Sequence, residues 1–409
     1  MTICVPSGVA TCADRIGVAK LTKMAFDGFN LRPLWYELMA KATDDAEGAG
    51  VGMDLSIIAQ LLGDQATGLA IQKEVLAHQR LFRLPCATPR LRVLALAAEM
   101  DIGGNTPIEF LLEDSEIELT TLYVVPGLPW PGPLPEHDVA IVVVPDDART
   151  QETLDEIERH TGNWPCKILN PPMRIRQQDR DRLYRLLSSI PGLEIPMTSR
   201  ISRSDLEGLN EAAVSRWLDD GNFPLIVRPI CSHAGRGLAM LAAPSDIAAY
   251  LAARPEPEFF ISRFVDYSSP DGLFRKYRLV CVDGRPYACH MAISEQWKIW
   301  YLNADMALSA AKRAEEAHFM ATFDDEFAVR HAGALSEMVG RIGLDYFMVD
   351  CAETKTGDLL VFETDNTAIV HNMDPPGIFP YKAPQMHKVF DAFAAMLYKR
   401  AGNPRACAA

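Results

Sequence analysis

The residues of this chain whose types and spacing could do chemistry gather in its C-terminal half. In GLDYFMVDCAETKTGDLLVFETDN, residues 343–366, Asp350, Glu363 and Asp365 lie on two apolar runs that flank Lys355, Thr356, Gly357 and Asp358. Such a pattern reads as a β-hairpin with a four-residue turn. A turn centred between Thr356 and Gly357 sets Asp350 opposite Glu363, with Asp365 two residues further along the same face. Like charges opposed across a strand pair repel, so three converging carboxylates require a cation or a raised pKa. With no Cys or His in the set, a hard, oxygen-seeking ion such as Mg2+ suits it, and the bland alternative is an acidic face screened by water and salt. On the metal reading, Asp350→Asn or Glu363→Gln should abolish metal-dependent turnover and leave the fold intact or slightly more stable, because one repelling charge is gone.

Two further stretches could handle anions. In FPLIVRPICSHAGRGLAML, residues 223–241, an apolar strand ends in Arg228 and a loop of Ser232, His233, Ala234, Gly235, Arg236 and Gly237 leads to a second strand. Glycines let successive backbone amides turn toward one point, and Arg228 adds a fork of donors for phosphate oxygens. The competing reading is an ordinary hairpin turn. In RKYRLVCVDGRPYACHMAI, residues 275–293, Asp283 and Gly284 signal a two-residue turn. A tight turn puts Arg278 opposite Cys289 on one face and His290 opposite Tyr277 on the other, so Arg278 is the candidate site residue and His290 reads as a structural histidine.

These strands need a scaffold, and 409 residues are enough for two to four domains. Residues 1–85 read as a helical N-terminal region without a strand pattern, with Ile71, Val75, His78 and Phe82 spaced by three and four after the breaker Gly68. The sequence LPCATPR at 84–90 marks a boundary, beyond which apolar runs at 93–98, 119–125, 139–144 and 167–169 look like buried strands of a parallel sheet. Helices fit between them, one after Asn105 with Pro107 in its first turn and one over 150–160. Residues 86–197 thus read as an open α/β unit, and 198–400 as an α+β domain of hairpins and helices. Gly103 and Gly104 follow the first strand of the α/β unit, but neither GxGxxG nor a Walker A loop occurs.

Composition narrows the partners. With 40 Lys and Arg against 54 Asp and Glu, the net charge is -14 and no polybasic run accompanies it, which argues against nucleic acid as a partner. No apolar run approaches the roughly 18 residues of a membrane-spanning helix, and the start MTICVPSGVATCAD lacks a basic segment followed by an apolar block, so a soluble cytoplasmic protein is expected. Nine scattered cysteines without a CxxC pair argue against a disulfide framework and a zinc site.

Taken in order, these pieces resemble the ATP-grasp superfamily, and within it the glutathione synthetase and ribosomal-protein glutamate ligase (RimK-like) branch. The resemblance runs over about residues 165–390: Lys167-Ile168-Leu169-Asn170-Pro171, Asp179-Arg180, Ile195-Pro196-Met197-Thr198, Val227-Arg228-Pro229 with the glycine loop, Phe260-Ile261-Ser262-Arg263-Phe264-Val265-Asp266, Tyr277-Arg278, Asn303, Asp350 and Glu363-Thr364-Asp365. It implies a pre-ATP-grasp α/β domain followed by an ATP-grasp domain of two α+β subdomains with ATP between them. By the same resemblance Arg180 and Arg228 contact the phosphates, and the loop with Ser232, His233, Gly235 and Gly237 closes over them. Ile226 and Phe362 sandwich the adenine, Phe264 and Val265 offer it backbone groups, and Asp266 holds the ribose. Asp350, Glu363 and Asp365 hold Mg2+, or Mn2+ in its place, with Asn303 nearby, and Arg278 faces the transferred phosphate. The sequence departs from the family in having arginine for lysine at 180 and 228, Asp365 for the usual asparagine, and Arg263 where an acidic residue is common.

The implied activity is an ATP- and Mg2+-dependent ligase that joins a small-molecule or peptide carboxylate to an amine through an acyl phosphate, with Arg228 and Arg278 as its catalytic residues. Homodimers are common among similar proteins. The rivals are a non-catalytic ATP-binding scaffold, supported by the arginine replacements, and a small-molecule kinase on the same fold.

Overall fold

The structure, a computed structural model, describes residues 10–42, 46–230, 232 and 235–402. It is a mixed α/β fold built on three sheets. The first has six strands: β1 (Ala13–Asp14), β2 (Leu81–Leu84), β3 (Leu91–Ala97), β4 (Ile117–Tyr123), β5 (Val139–Val142) and β6 (Lys167–Leu169), in the order β1-β2-β4-β3-β5-β6. The four apolar runs of the α/β unit are thus β3 to β6, paired in parallel as expected. Their near-continuous apolarity follows from position, since Leu94, Ala95, Val139 and Ile141 are shut off from solvent on both faces.

The N-terminal region departs from expectation. It contributes four helices, Val18–Phe26, Arg32–Lys41, Ala46–Leu61 and Gln65–His78, but also β1 and β2, which hydrogen-bond into the edge of the same sheet. Phe82 belongs to β2 and not to a helix. Gly68 breaks nothing: the last of these helices starts at Asp64, whose side chain accepts from the Thr67 amide at 3.1 Å. A Cβ at Gly68 would stand 2.7 Å from the Ser56 carbonyl, so this glycine is where two helices cross closely. The helical spacing runs on into Phe82 because β2 is four residues long and carries no alternation of its own.

After the short strand β7 (Leu193–Glu194) comes a four-stranded antiparallel sheet of β8 (Thr198–Ser202), β9 (Leu225–Pro229), β10 (Ala239–Leu241) and β11 (Glu258–Arg263), ordered β10-β9-β11-β8. The third sheet holds β12 (Phe274–Val282), β13 (Arg285–Ser294), β14 (Tyr346–Glu353) and β15 (Leu359–Asp365), with β7 alongside β15, in the order β13-β12-β14-β15-β7. The first and third sheets share one apolar core that includes Val93, Val139, Leu279, Val349 and Phe393. The four-stranded sheet keeps its own, built from Leu206, Leu218, Val227, Phe259 and Ile261.

Two buried asparagines fasten the first sheet to the third. Asn170, at the end of β6, accepts from the Asp345 and Tyr346 amides at 2.8 and 3.0 Å and donates to the Tyr346 carbonyl at 2.8 Å. Asn366 donates to the Val144 carbonyl at 2.9 Å and accepts from Gln178 at 2.9 Å, while Thr106 donates to its carbonyl at 2.7 Å.

Both hairpins of the third sheet carry a bulge that the sequence did not announce. Between β14 and β15 the turn has three residues rather than four, closed by the Thr354 amide on the Asp358 carbonyl at 2.9 Å, with Gly357 at φ 90. Cys351 then pairs with Val361, Phe362 is the extra residue, and beyond it Asp350 pairs with Glu363 as expected. Between β12 and β13 the two-residue turn is present, with Asp283 and Gly284 both at positive φ, yet a bulge after Leu279 shifts the pairing so that Arg278 faces His290. The expectation that these two groups lie on different faces is therefore overturned, because turn chemistry sets register only as far as the first bulge. Among the described residues no helix is long and apolar enough to cross a membrane.

Candidate active site

A cleft of about 920 Å3 opens between the four-stranded sheet and the third sheet, with Asp101, Gly103 and Asp147 of the α/β unit on its third side. Into it come Ile226 and Arg228 from β9, Phe264 and Val265 just after β11, Lys276 and Arg278 from β12, Asp350 from β14, and Phe362, Glu363 and Asp365 from β15. The bulge explains why the neighbours Phe362 and Glu363 both line the cleft, since two residues of the bulged strand oppose one of its partner. Arg180 enters from the first turn of the helix Arg180–Leu187, and Gly235 from the loop between β9 and β10.

Most of the sequence-derived site residues are thus brought together, but their charges are arranged differently from the expected metal cluster. Asp350 is fully buried, accepts from Arg278 Nε at 2.8 Å and Nη2 at 3.0 Å, and pairs with Lys276 Nζ at 2.6 Å. Burial alone would raise its pKa, but Arg278 and Lys276 outweigh burial and hold the carboxyl far below the usual range. Glu363 accepts from Arg180 Nη2, and Arg228 Nη1 stands 3.8 Å away; these two cations likewise outweigh burial and keep it ionised. Asp365 accepts from the Thr367 amide and hydroxyl at 2.7 and 2.8 Å.

Among the described residues no three His, Cys, Asp or Glu side chains come together as a group that could hold a metal. The repulsion expected at the opposed carboxylates is relieved by Lys276, Arg278, Arg180 and Arg228, which also removes the reason to expect a more stable Asp350→Asn. The donor chemistry is hard oxygen, but Mg2+ alone does not fit here, because both oxygens of Asp350 are engaged and Glu363 is held by arginine. Four cations against three carboxylates make this floor a better seat for an anion. Arg228 shows the strain of gathering them: burial, and then the charge of Arg180, push its pKa down to about 10.

Three of the expected binding residues stand elsewhere, and a fourth is not among the described residues. Ser232 does not line the cleft; it accepts from Arg228 Nε at 3.2 Å, and its hydroxyl donates to the Pro229 carbonyl at 2.7 Å, so it aims the guanidinium. Gly237 also lies off the cleft, at φ 70, where a Cβ would stand 2.5 Å from Pro229 Cδ: it shapes the loop. Asp266 pairs with Lys355 at 2.6 Å on an exposed rim and accepts from the Ser268 amide at 3.0 Å, outside the cleft lining. His233 lies outside the described residues. Asn303 does reach the cleft, as do Lys276 and His290, which sequence reasoning missed. Strand alternation puts 276 on the face of 278 and could have found Lys276; nothing local could have found His290, which depends on the bulge.

No family model and no curated protein matches the sequence. Solved structures that the chain is similar to include the VanG D-Ala:D-Ser ligase from Enterococcus faecalis, with TM-score 0.47, 11% identity and coverage of 75% of this chain and 100% of that one. The D-alanine-D-alanine ligase from Coxiella burnetii gives TM-score 0.44 and 12% identity over 78% of this chain and 98% of that one. A RimK domain ATP-grasp protein from Sphaerobacter thermophilus gives TM-score 0.42 and 18% identity over 74% of this chain and 99% of that one.

Proposed function

We propose that the protein is an ATP-dependent carboxylate-amine ligase. The observation that carries this reading is the floor of the cleft, where Arg180 and Arg228 share a single carboxylate, Glu363, beneath a glycine-bearing loop. A polyphosphate supplies the negative charge that these guanidiniums lack, in a site where charge-assisted hydrogen bonds are strong. Ile226 and Phe362 give the adenine its apolar walls, with the backbone of Phe264 and Val265 at its edge. A substrate carboxylate then attacks the γ-phosphorus and ADP leaves; Arg228 neutralises charge on the transferring group. An amine adds to the resulting acyl phosphate, loses a proton and expels phosphate to give the amide, and Arg278 stabilises the tetrahedral oxyanion. No nucleophilic side chain is needed. With a nucleotide bound, Glu363 and Asp365 would be the residues to hold Mg2+, which would supply positive charge to the phosphates.

The engaged state of Asp350 and the arginines at 180 and 228 favour a second reading, a nucleotide-binding scaffold. Product analysis separates the readings. With ATP, Mg2+ and pools of amino acids and carboxylic acids, an amide with ADP and phosphate supports the ligase. A phosphorylated acceptor instead identifies a small-molecule kinase, and tight ATP binding with no turnover identifies the scaffold.

A further inference from the structure

The bulge in β13 brings into the cleft a group that the scheme above does not use. His290 lies across from Arg278 and lines the cavity. Its Nδ1 is shut off from solvent and has no hydrogen-bond partner among the described residues, while the residue as a whole is half-buried at the cleft. The ring is fixed from behind. Tyr301 packs against it edge-to-face at 4.7 Å, and the Tyr301 hydroxyl donates to Glu316 at 3.0 Å and accepts from Lys382 at 2.5 Å. Glu316, fully buried, also accepts from the Met291 amide at 3.1 Å and the Tyr381 hydroxyl at 2.6 Å. This network fixes Tyr301, and with it the ring surface on which the imidazole packs.

The tautomer follows from the burial. A buried N–H without an acceptor is rarer in proteins than a buried acceptor without a donor, so the proton belongs on Nε2 and the lone pair on the enclosed Nδ1. Burial, and then the charge of Arg278, also keep the ring neutral. The cleft is therefore offered an uncharged N–H beside a guanidinium that has donors left over after Asp350 takes Nε and Nη2.

We propose that His290 donates its Nε2 hydrogen to an oxygen of the substrate carboxylate, holding it together with Arg278 for phosphorylation and then for attack by the amine. This rests on the ligase reading. An uncharged donor suits the place: it strengthens as charge develops on the oxygen, and it does not repel an incoming amine.

Hydroxylamine, used as the amine with a panel of free amino acids and other carboxylic acids, reports acyl phosphate formation as hydroxamate and ADP. Calorimetry with a non-hydrolysable ATP analogue reports nucleotide binding separately. His290→Leu should raise KM for the best acid at least tenfold and leave analogue affinity unchanged. His290→Gln, whose amide nitrogen reaches the Nε2 position, should come within about threefold of wild type. His290→Asn, whose nitrogen falls at Nδ1, should not. Should the leucine variant fail to fold, the glutamine and asparagine pair carries the test. A KM unchanged in His290→Leu, or equal rescue by Gln and Asn, overturns the proposal while the ligase reading stands. Absence of hydroxamate from wild type with every acid, with the analogue still bound, overturns both.

Discussion

The two walls of the cleft are built on opposite terms. On the third sheet, Asp350, Arg278 and Lys276 sit on paired strands and satisfy one another in fixed geometry, with Asp350 fully buried. On the four-stranded sheet, Arg228 is steadied by its own loop, through the side chain and carbonyl of Ser232, and its facing charge comes from the other wall. The first wall pairs its carboxylate directly with both of its cations, at 2.6 and 2.8 Å, as part of folding. The second leaves Arg228 3.8 Å from the carboxylate that faces it. Substitutions on the first should therefore be read in stability, and on the second in affinity.

The largest expected effect is on the first wall. Asp350→Asn strips the shared counter-charge from Arg278 and Lys276 and should destabilise the protein by about 3 kcal/mol, as for other buried pairs left with one partner. A denaturant titration that gave wild-type stability would erase the contrast. Arg228→Ala should do the reverse, with a smaller loss of stability than Asp350→Asn and ATP affinity lowered roughly ten- to a hundred-fold. Arg228→Lys should fall between, because a single ammonium replaces a planar fork. A variant that bound the analogue normally but melted early would move Arg228 to the structural side.

Two smaller effects sharpen the contrast. Gly237→Ala asks an L side chain to adopt φ 70 with its Cβ 2.5 Å from Pro229 Cδ, which should cost about 1 kcal/mol and weaken ATP severalfold by displacing the loop. Unaltered binding would detach the loop from the phosphates. Asp266→Asn should change analogue affinity less than about twofold, since the carboxylate is engaged with Lys355 on the rim and loses only an exposed ion pair. A tenfold loss would restore it as a ribose ligand.

How much of this could be read from residues depends on the range of the signal. The parallel strands β3 to β6 were legible because burial on both faces writes apolar runs directly into the sequence. The pairing of Asp350 with Glu363 was legible for an incomplete reason: the turn is one residue shorter than expected, and the bulge at Phe362 restores the count. At His290 the same kind of bulge worked the other way. A bulge is set by packing on both sides of a strand, which leaves no mark on neighbouring residue types. The cations were harder still. Lys276 and Arg180 come from 74 and 183 residues away from Asp350 and Glu363 in the chain, and only the folded register brings them together. β1 escaped notice because two residues make no periodicity.

The paired fastening through Asn170 and Asn366 has a mechanical meaning. Residues far apart in the chain bind the α/β unit to the strand pair that carries Asp350 and Glu363, and both lie over one continuous core, so that assembly turns as a single stator. The four-stranded sheet has a separate core. A movement of this sheet against the rest would hinge on the chain segments around 195–198 and 263–266, where it joins the other sheets. Arg228 on β9 would travel with such a movement, while Arg180 and the carboxylates would stay behind. Distance labels on 228 and 363 would measure the extent of the movement, and labels on 170 and 346 would read a constant.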